Sequence, residues 1–283
     1  KALIVNNISF TYEALINTSE KMARALFHHY KVKPQDRIGI MMNRSSNMIA
    51  VVLALLRLNC QIIPITSTKM VKEISEVILA GTLNGIVVDK EFTREISQLL
   101  PECPLIPFED LDRLLATPFI AIPEIIIRPN DIALITLTSG TTGLPKAIPT
   151  IQDAWVNWVY YMRNSQYVTE KDVIFSACSF GFDAFFWELF AFGLCQGACV
   201  VLSSEVDRLD TSYWKRLFQM PTISVTQVTI TPSMLSLFSP EDFPYIKRIY
   251  CIGEKLSVNL IKPFLLKGIE VVNGYGPSEV TAG

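Results

Sequence analysis

From residue 138 to 146 the chain reads Thr138, Ser139, Gly140, Thr141, Thr142, Gly143, Leu144, Pro145, Lys146. Four hydroxyls, two glycines and a lysine in so short a stretch suit the holding of a phosphate chain. Glycines let backbone N–H groups turn toward an anion, hydroxyls add donors, and lysine adds a point charge. The stretch is not a Walker A loop, because Pro145 precedes the lysine and Ala147 follows it. A second constellation is Phe182-Asp183-Ala184-Phe185-Phe186-Trp187-Glu188, where one carboxylate, Asp183, stands in a strongly apolar setting. A buried carboxylate needs a partner; read from the residues alone, Asp183 fits a helix N-cap. Glu188 reads as serving local structure rather than catalysis. The third constellation, Asn273-Gly274-Tyr275-Gly276-Pro277-Ser278-Glu279, is a turn bearing an aromatic ring, a hydroxyl and a carboxylate. Taken singly, the first and third are equally polar turns at strand exits.

The elements around these stretches alternate. An apolar run over 132–137 predicts a buried strand leading into the hydroxyl-rich loop. Before it, the spacing predicts helices over 9–30, 45–59, 69–80 and 91–100. Strands are expected over 37–42, 62–65, 85–89 and 105–108, and a proline-rich connector over 117–129. After it come a short strand over 147–150 and a helix over 151–164 rich in Trp and Tyr. A second series has strands over 173–177, 199–203, 224–230, 246–252 and 269–275. Its helices are expected over 184–196, 212–218, 232–238 and 257–266. Strands alternating with helices predict parallel-rich sheets flanked by helices, an α/β fold in two lobes, 1–165 and 166–283.

The 283 residues, half of them hydrophobic, are enough for a large core. With 25 basic and 27 acidic side chains, nothing marks a nucleic-acid or membrane surface. No apolar helical run is long enough to span a bilayer, and no signal-like segment opens the chain. The six cysteines form no C-x-x-C pair and sit mostly in apolar runs, as reduced thiols of a cytoplasmic protein would. The two histidines, His28 and His29, are helical neighbours that do not share a face, so they are expected at the surface and not as a metal pair.

The three constellations, in this order, resemble the adenylate-forming superfamily of acyl-CoA synthetases, luciferases and nonribosomal peptide synthetase adenylation domains, and most closely the last. The resemblance runs along the whole chain and implies the large N-terminal subdomain of such an enzyme. It further implies that Thr138, Ser139, Gly140, Thr141, Thr142, Gly143 and Lys146 hold the β- and γ-phosphates of ATP. Gly253, Asn273, Gly274, Tyr275 and Gly276 would hold the nucleotide, with Tyr275 stacked on adenine and Ser278 at the α-phosphate. Glu279 would help hold Mg²⁺. Lys146, Thr141 and Glu279 are the implied catalytic groups. In amino-acid-adenylating members the aspartate at the position of Asp183 pairs with the substrate α-ammonium, and acyl-CoA synthetases have no such requirement.

By the same carry-over, Ala184, Trp187, Thr229, Tyr250, Ile252, Gly274, Ala282 and Gly283 would line the side-chain pocket. That wall favours an uncharged substrate, aromatic or large aliphatic, although Thr229 and Tyr250 could orient a polar group. The implied partners are an amino acid and a carrier protein bearing phosphopantetheine. Several positions depart from the family pattern. Phe185 replaces a serine, Ile252 and Asn59 replace glycines, and Gln152-Asp153 stand where a His-Arg pair is usual. The ribose-binding aspartate and the C-terminal lobe with its lysine lie beyond the motifs in this sequence. Two alternatives stay open: an acyl- or aryl-CoA ligase with Asp183 merely capping a helix, and a non-catalytic nucleotide-binding remnant.

Overall fold

The computed structural model describes residues 1–77, 83–118, 120–138, 145–165 and 167–280. These form two compact units, Thr11–Val156 and Lys1–Phe10 with Asn157–Gly283. The chain opens on an antiparallel pair, β1 (Leu3–Val5) and β2 (Ile8–Phe10), which belongs to the unit of the later residues.

The Thr11–Val156 unit holds the first α/β series. Thr11 caps α1 (Tyr12–His28) by accepting from the Ala14 N–H at 3.0 Å, and Ser45 caps α2 (Ser46–Arg57) through the Met48 N–H at 3.1 Å. β3 (Arg37–Met41), β4 (Gln61–Pro64) and β5 (Gly85–Val88) are almost wholly buried, as parallel strands covered on both faces must be. The helices α3 (Thr68–Val77), α4 (Lys90–Leu99) and α5 (Phe108–Arg113) alternate with them. With β6 (Leu105–Pro107), β7 (Ile132–Thr138) and β8 (Lys146–Ile151) they make a six-stranded sheet in the order β6-β5-β3-β4-β7-β8. Only the last pair is antiparallel. At the edge of β4, Asn59 takes φ +55°, in the region where glycine and asparagine are the tolerated residues. Its side chain donates to Asp131 at 2.7 Å. The asparagine therefore meets the backbone need of the family glycine and adds a tie to the segment before β7.

The other unit holds the second series, beginning with the latter part of α6 (Gln152–Ser165). It continues through β9 (Val173–Ser176), α7 (Asp183–Phe186), β10 (Cys199–Leu202) and α8 (Thr211–Phe218). Then follow β11 (Gln227–Ile230), α9 (Pro232–Leu235), β12 (Arg248–Cys251), α10 (Val258–Leu266) and β13 (Glu270–Asn273). The seven-stranded sheet runs β13-β12-β11-β9-β10-β1-β2 and is parallel except for β2. Its core is aromatic: Trp214 and Phe218 pack edge-on against Phe175, and Phe243 joins Phe238 to Phe264.

One expected helix, over 184–196, is three different turns. α7 gives way to a π-turn over Trp187–Ala191 and then to a 3₁₀ turn over Leu194–Gln196. The π-turn rotates the side chains that follow it, and such turns cluster at functional sites. Gly193 closes it against β10. A Cβ there would stand 2.3 Å from Val200 Cγ2, 2.6 Å from the Leu189 carbonyl and 2.8 Å from that of Glu188. Two of those atoms are backbone, so Gly193→Ala is expected to destabilise the chain by about 1–3 kcal/mol. Urea denaturation would show this as a lower midpoint at unchanged slope, and an unchanged midpoint would mean that the turn yields freely. All six cysteines are free, with Cys60, Cys199 and Cys251 buried.

Candidate functional site

The seven-stranded sheet reverses its winding between β9 and β11, since β10 lies on one side of β9 and β11, β12 and β13 lie on the other. A reversal of this kind leaves a crevice at the carboxyl ends of the strands, where the connecting loops part. A cavity of about 760 Å³ opens there. Its floor is built by the strand exits, through Ala177 and Cys178 after β9, Thr229 and Thr231 at β11, Tyr250 and Ile252 at β12, and Asn273 at β13.

Asp183 enters the cavity as the first residue of α7, behind the N-cap Phe182. The capping role read from the residues alone is thus corrected: the backbone before Asp183 is extended, and the helix begins one residue earlier than a cap would require. Its Oδ1 accepts from the Ala184 N–H at 2.8 Å, while Oδ2 is buried without a hydrogen-bond partner. Burial pushes the Asp183 carboxyl above the usual carboxylate range. The nearby Ser278 hydroxyl and the Ala184 N–H oppose this, and the Glu279 charge adds to it.

The expected pocket residues Ala184, Trp187, Thr229, Tyr250, Ile252 and Gly274 line the same cavity as Asp183. Trp187 opens the π-turn, and its indole Nε1 has no partner. Thr229 Oγ1 is likewise buried and unpaired. Tyr250 stacks on Phe192 at 4.6 Å, and burial pushes its phenol up to about 12 against the pull of the Arg248 charge. Gly274 lies against Ile252, whose Cγ2 would be 2.8 Å from a Cβ placed there. Ala282 and Gly283 lie outside the described residues.

Gly253, Asn273, Tyr275 and Gly276 lie on the cavity wall, and the Tyr275 ring is 85% exposed, leaving it open to stacking. Ser278 and Glu279 follow on a 3₁₀ turn, Ser278–Val280. Glu279 is exposed, and among the described residues no group of three or more His, Cys, Asp or Glu is placed to hold a metal ion. One carboxylate completed by phosphate oxygens still suits Mg²⁺, which keeps few protein ligands. In the other unit, Thr138 and Lys146 face each other across the β7–β8 pair, with Lys146 exposed. Ser139, Gly140, Thr141, Thr142 and Gly143 lie outside the described residues.

Sequence reasoning missed the aromatic wall contributed by α6. Trp158 lines the cavity, stacks on Tyr161 at 5.3 Å and meets Trp187 edge-on at 6.0 Å. Its Nε1 is also buried and unpaired. The available signal was the concentration of Trp and Tyr in a helix that otherwise reads as a solvent-facing one.

The family model described as AMP-binding enzyme matches residues 1–283. The chain belongs to the AMP-binding enzyme family. Bacitracin synthase 1 of Bacillus licheniformis is 29% identical over 280 residues, covering 99% of the chain and 5% of that protein. Tyrocidine synthase 1 of Brevibacillus parabrevis is 27% identical over 286 residues, covering 99% and 25% respectively. The chain therefore spans a quarter or less of these relatives. Among solved structures, the NpsA N-terminal subdomain of Klebsiella oxytoca with 3-hydroxyanthranilyl-AMSN superposes with a TM-score of 0.81 at 19% identity, covering 99% of this chain and 70% of that one. An artificially fused adenylation–PCP di-domain, NpsA-ThdA from the same organism, gives 0.83 at 20% identity, covering 99% and 55%. The two parallel-rich sheets flanked by helices are thus those of the N-terminal subdomain of adenylate-forming enzymes.

Within this AMP-binding enzyme, several departures from the family motifs have structural occupations. Phe185 is fully buried and packs edge-on against Phe180 and Phe186. The N–H groups of Gln152 and Asp153 donate to the carbonyls of Asp131 and Pro129 at 2.8 and 3.0 Å, fixing the turn where β8 meets α6. Glu188 is fully buried and accepts from the Ser176 hydroxyl and the Ala177 and Cys178 N–H groups. Among the described residues no helix is long and apolar enough to cross a membrane.

Proposed function

We propose that this chain is the nucleotide- and substrate-binding part of an enzyme that activates an amino acid with ATP. The observation that carries the reading is Asp183: a half-buried carboxylate in the lining of the cavity, with one oxygen buried and unpaired. A buried charge without a partner is costly, and an α-ammonium is the partner that would relieve it. An acyl or aryl acid without an amine would leave Oδ2 as it is. The substrate carboxylate then attacks the α-phosphorus of ATP, the bond to the bridging oxygen breaks, and pyrophosphate leaves with the aminoacyl-adenylate formed.

In this reading residues 1–165 supply the phosphate loop and residues 166–283 most of the substrate pocket. Lys146 and the donors from Thr138 to Gly143 position and neutralise the β- and γ-phosphates. Tyr275 would take the adenine ring and Ser278 the α-phosphate, and Glu279 would help hold Mg²⁺, which would offset the charge of the phosphates. The adenylate passes to the phosphopantetheine thiol of a carrier protein. Relatives whose printed names are nonribosomal peptide synthetases support this fate.

Thermal unfolding with ATP–Mg²⁺, alone and with each of a panel of amino acids, tests the reading. A ligand that binds only the folded chain stabilises it by about 2.7 kcal/mol at a hundredfold excess over Kd. The expected result is a shift with ATP–Mg²⁺ and a further shift with an amino acid. A shift with ATP–Mg²⁺ that no amino acid extends, while a carboxylic acid without an amine does, would replace this reading with that of an acyl or aryl ligase.

A further inference from the structure

Besides Asp183 Oδ2, the cavity residues carry three buried polar atoms with no protein partner, Trp158 Nε1, Trp187 Nε1 and Thr229 Oγ1, and the Tyr250 hydroxyl lies buried beside the Arg248 guanidinium. All four can donate a hydrogen bond, and the two indoles can do nothing else. Tyr250, with its phenol pushed up to about 12 by burial, keeps its proton at neutral pH. Donors left unpaired in a buried wall are rare, because each has given up its hydration for nothing. Their convergence on one cavity requires a ligand that accepts.

The charges around them narrow the ligand further. Asp183 and Arg208 are the charged residues among the described ones that line the cavity. Arg208 is ion-paired with Glu205 and so offers no open cation to an anionic side chain. Asp183 is taken by the α-ammonium in the reading above, which leaves no carboxylate for a cationic one. Much of the remaining wall is aromatic, with Phe192 stacked on Tyr250 and Tyr161 on Trp158, beside the uncharged polar residues Ser179, Thr231 and Asn273.

We infer that the amino acid activated carries an uncharged side chain with a carbonyl or hydroxyl oxygen, which accepts hydrogen bonds from one or two of the donors on Trp158, Trp187, Thr229 and Tyr250, and that Trp158 on α6 is a specificity-determining residue of this pocket. The inference rests on the amino-acid reading of the cavity and, of the uncharged side chains expected from the pocket residues, takes those that Thr229 and Tyr250 could orient by a polar group. A site built to hydrogen-bond a substrate oxygen rejects the analogue lacking it far more strongly than an apolar pocket rejects a change of shape.

The test uses matched pairs on the chain with saturating ATP–Mg²⁺: L-tyrosine against L-phenylalanine, L-glutamine against L-norleucine, and L-threonine against L-valine, with binding read by calorimetry. In at least one pair the oxygen-bearing member is expected to bind at least about tenfold more tightly. Trp158→Phe, which keeps an aromatic ring but loses the indole N–H, is expected to erase most of that preference. Thr229→Val, of equal shape, serves as the second variant and is expected to act the same way. Equal or tighter binding of the apolar member in every pair overturns the inference and leaves the amino-acid reading standing. So does a preference that survives both variants. No binding of any amino acid overturns the amino-acid reading, and this inference with it.

Discussion

Replacing Asp183 with asparagine is expected to raise the melting temperature of the ligand-free chain at neutral pH and to remove its response to amino acids. The carboxyl has one oxygen satisfied by the Ala184 N–H at 2.8 Å and one oxygen buried and unpaired. Burial raises its pKa over the opposing Ser278 hydroxyl and Ala184 N–H. A carboxyl with a raised folded-state pKa binds more protons folded than unfolded, so its contribution to stability is best in acid. That contribution is lost as pH rises from the unfolded value through the folded one. Asparagine does not titrate and its amide can donate, so the variant should match the wild type in acid and exceed it increasingly toward neutrality. Relief of one unsatisfied buried group is worth about 1–3 kcal/mol, and in a chain of this size about 2–4 °C for each of them. The cost falls on binding: truncating one partner of a buried charge pair typically loses about 2–5 kcal/mol, or roughly 30- to 5,000-fold in amino-acid affinity. ATP affinity should be unchanged. Melting curves from pH 4 to 8 with and without substrate decide the matter. A variant less stable than the wild type at neutral pH would show that the carboxylate is already satisfied within the protein, and an amino-acid shift that survives would show that the ammonium sits elsewhere.

The opposed signs at this one residue also explain what could be read from the sequence and what could not. The strand–helix alternation was legible because parallel strands buried on both faces leave continuous apolar runs, as at β5 and β10. Asp183 was legible as anomalous, a charge in an apolar run, but its capping role was misread. A cap and the first helical residue differ by one position, and local sequence does not fix that register. The β1–β2 pair escaped notice because three-residue strands carry no period, and β1 finds its parallel partner β10 nearly two hundred positions away. The π-turn at Trp187 escaped because its pattern over five residues is that of any apolar helix. Trp158 escaped for a related reason: α6 otherwise reads as a solvent-facing helix, with Met162 its buried residue, and only the packing reveals that one of its indoles lines the pocket. Family motifs pointed to candidate residues that sit next to glycine and proline turns. They gave no hold on a residue whose role comes from the helix it happens to ride.

Glu188 shows the converse, a charged-type residue beside the pocket whose work is to hold it up. Its Oε2 accepts from the Ser176 hydroxyl at 3.0 Å and the Cys178 N–H at 3.1 Å, and its Oε1 from the Ala177 N–H at 3.3 Å. Those donors lie at the exit of β9, and Ala177 and Cys178 form cavity wall. Glu188→Leu fills the space but removes these acceptors from the buried Ser176 hydroxyl and the half-buried Ala177 and Cys178 N–H groups. The expected loss is about 3–5 kcal/mol, the size found when one member of a buried polar network is deleted. Glu188→Gln keeps one carbonyl oxygen and the side-chain length, and should recover about half of that loss. Because the β9 exit is cavity wall, the leucine variant should also lose amino-acid binding even at temperatures where it remains folded, whereas Gly193→Ala, at the other end of the π-turn, should mainly cost stability. Chemical denaturation of the two Glu188 variants, with ligand titrations on each, separates these contributions. A leucine variant as stable as the wild type would mean that the strand exit satisfies its own donors, and that the buried carboxyl is held there for the chemistry of the site instead.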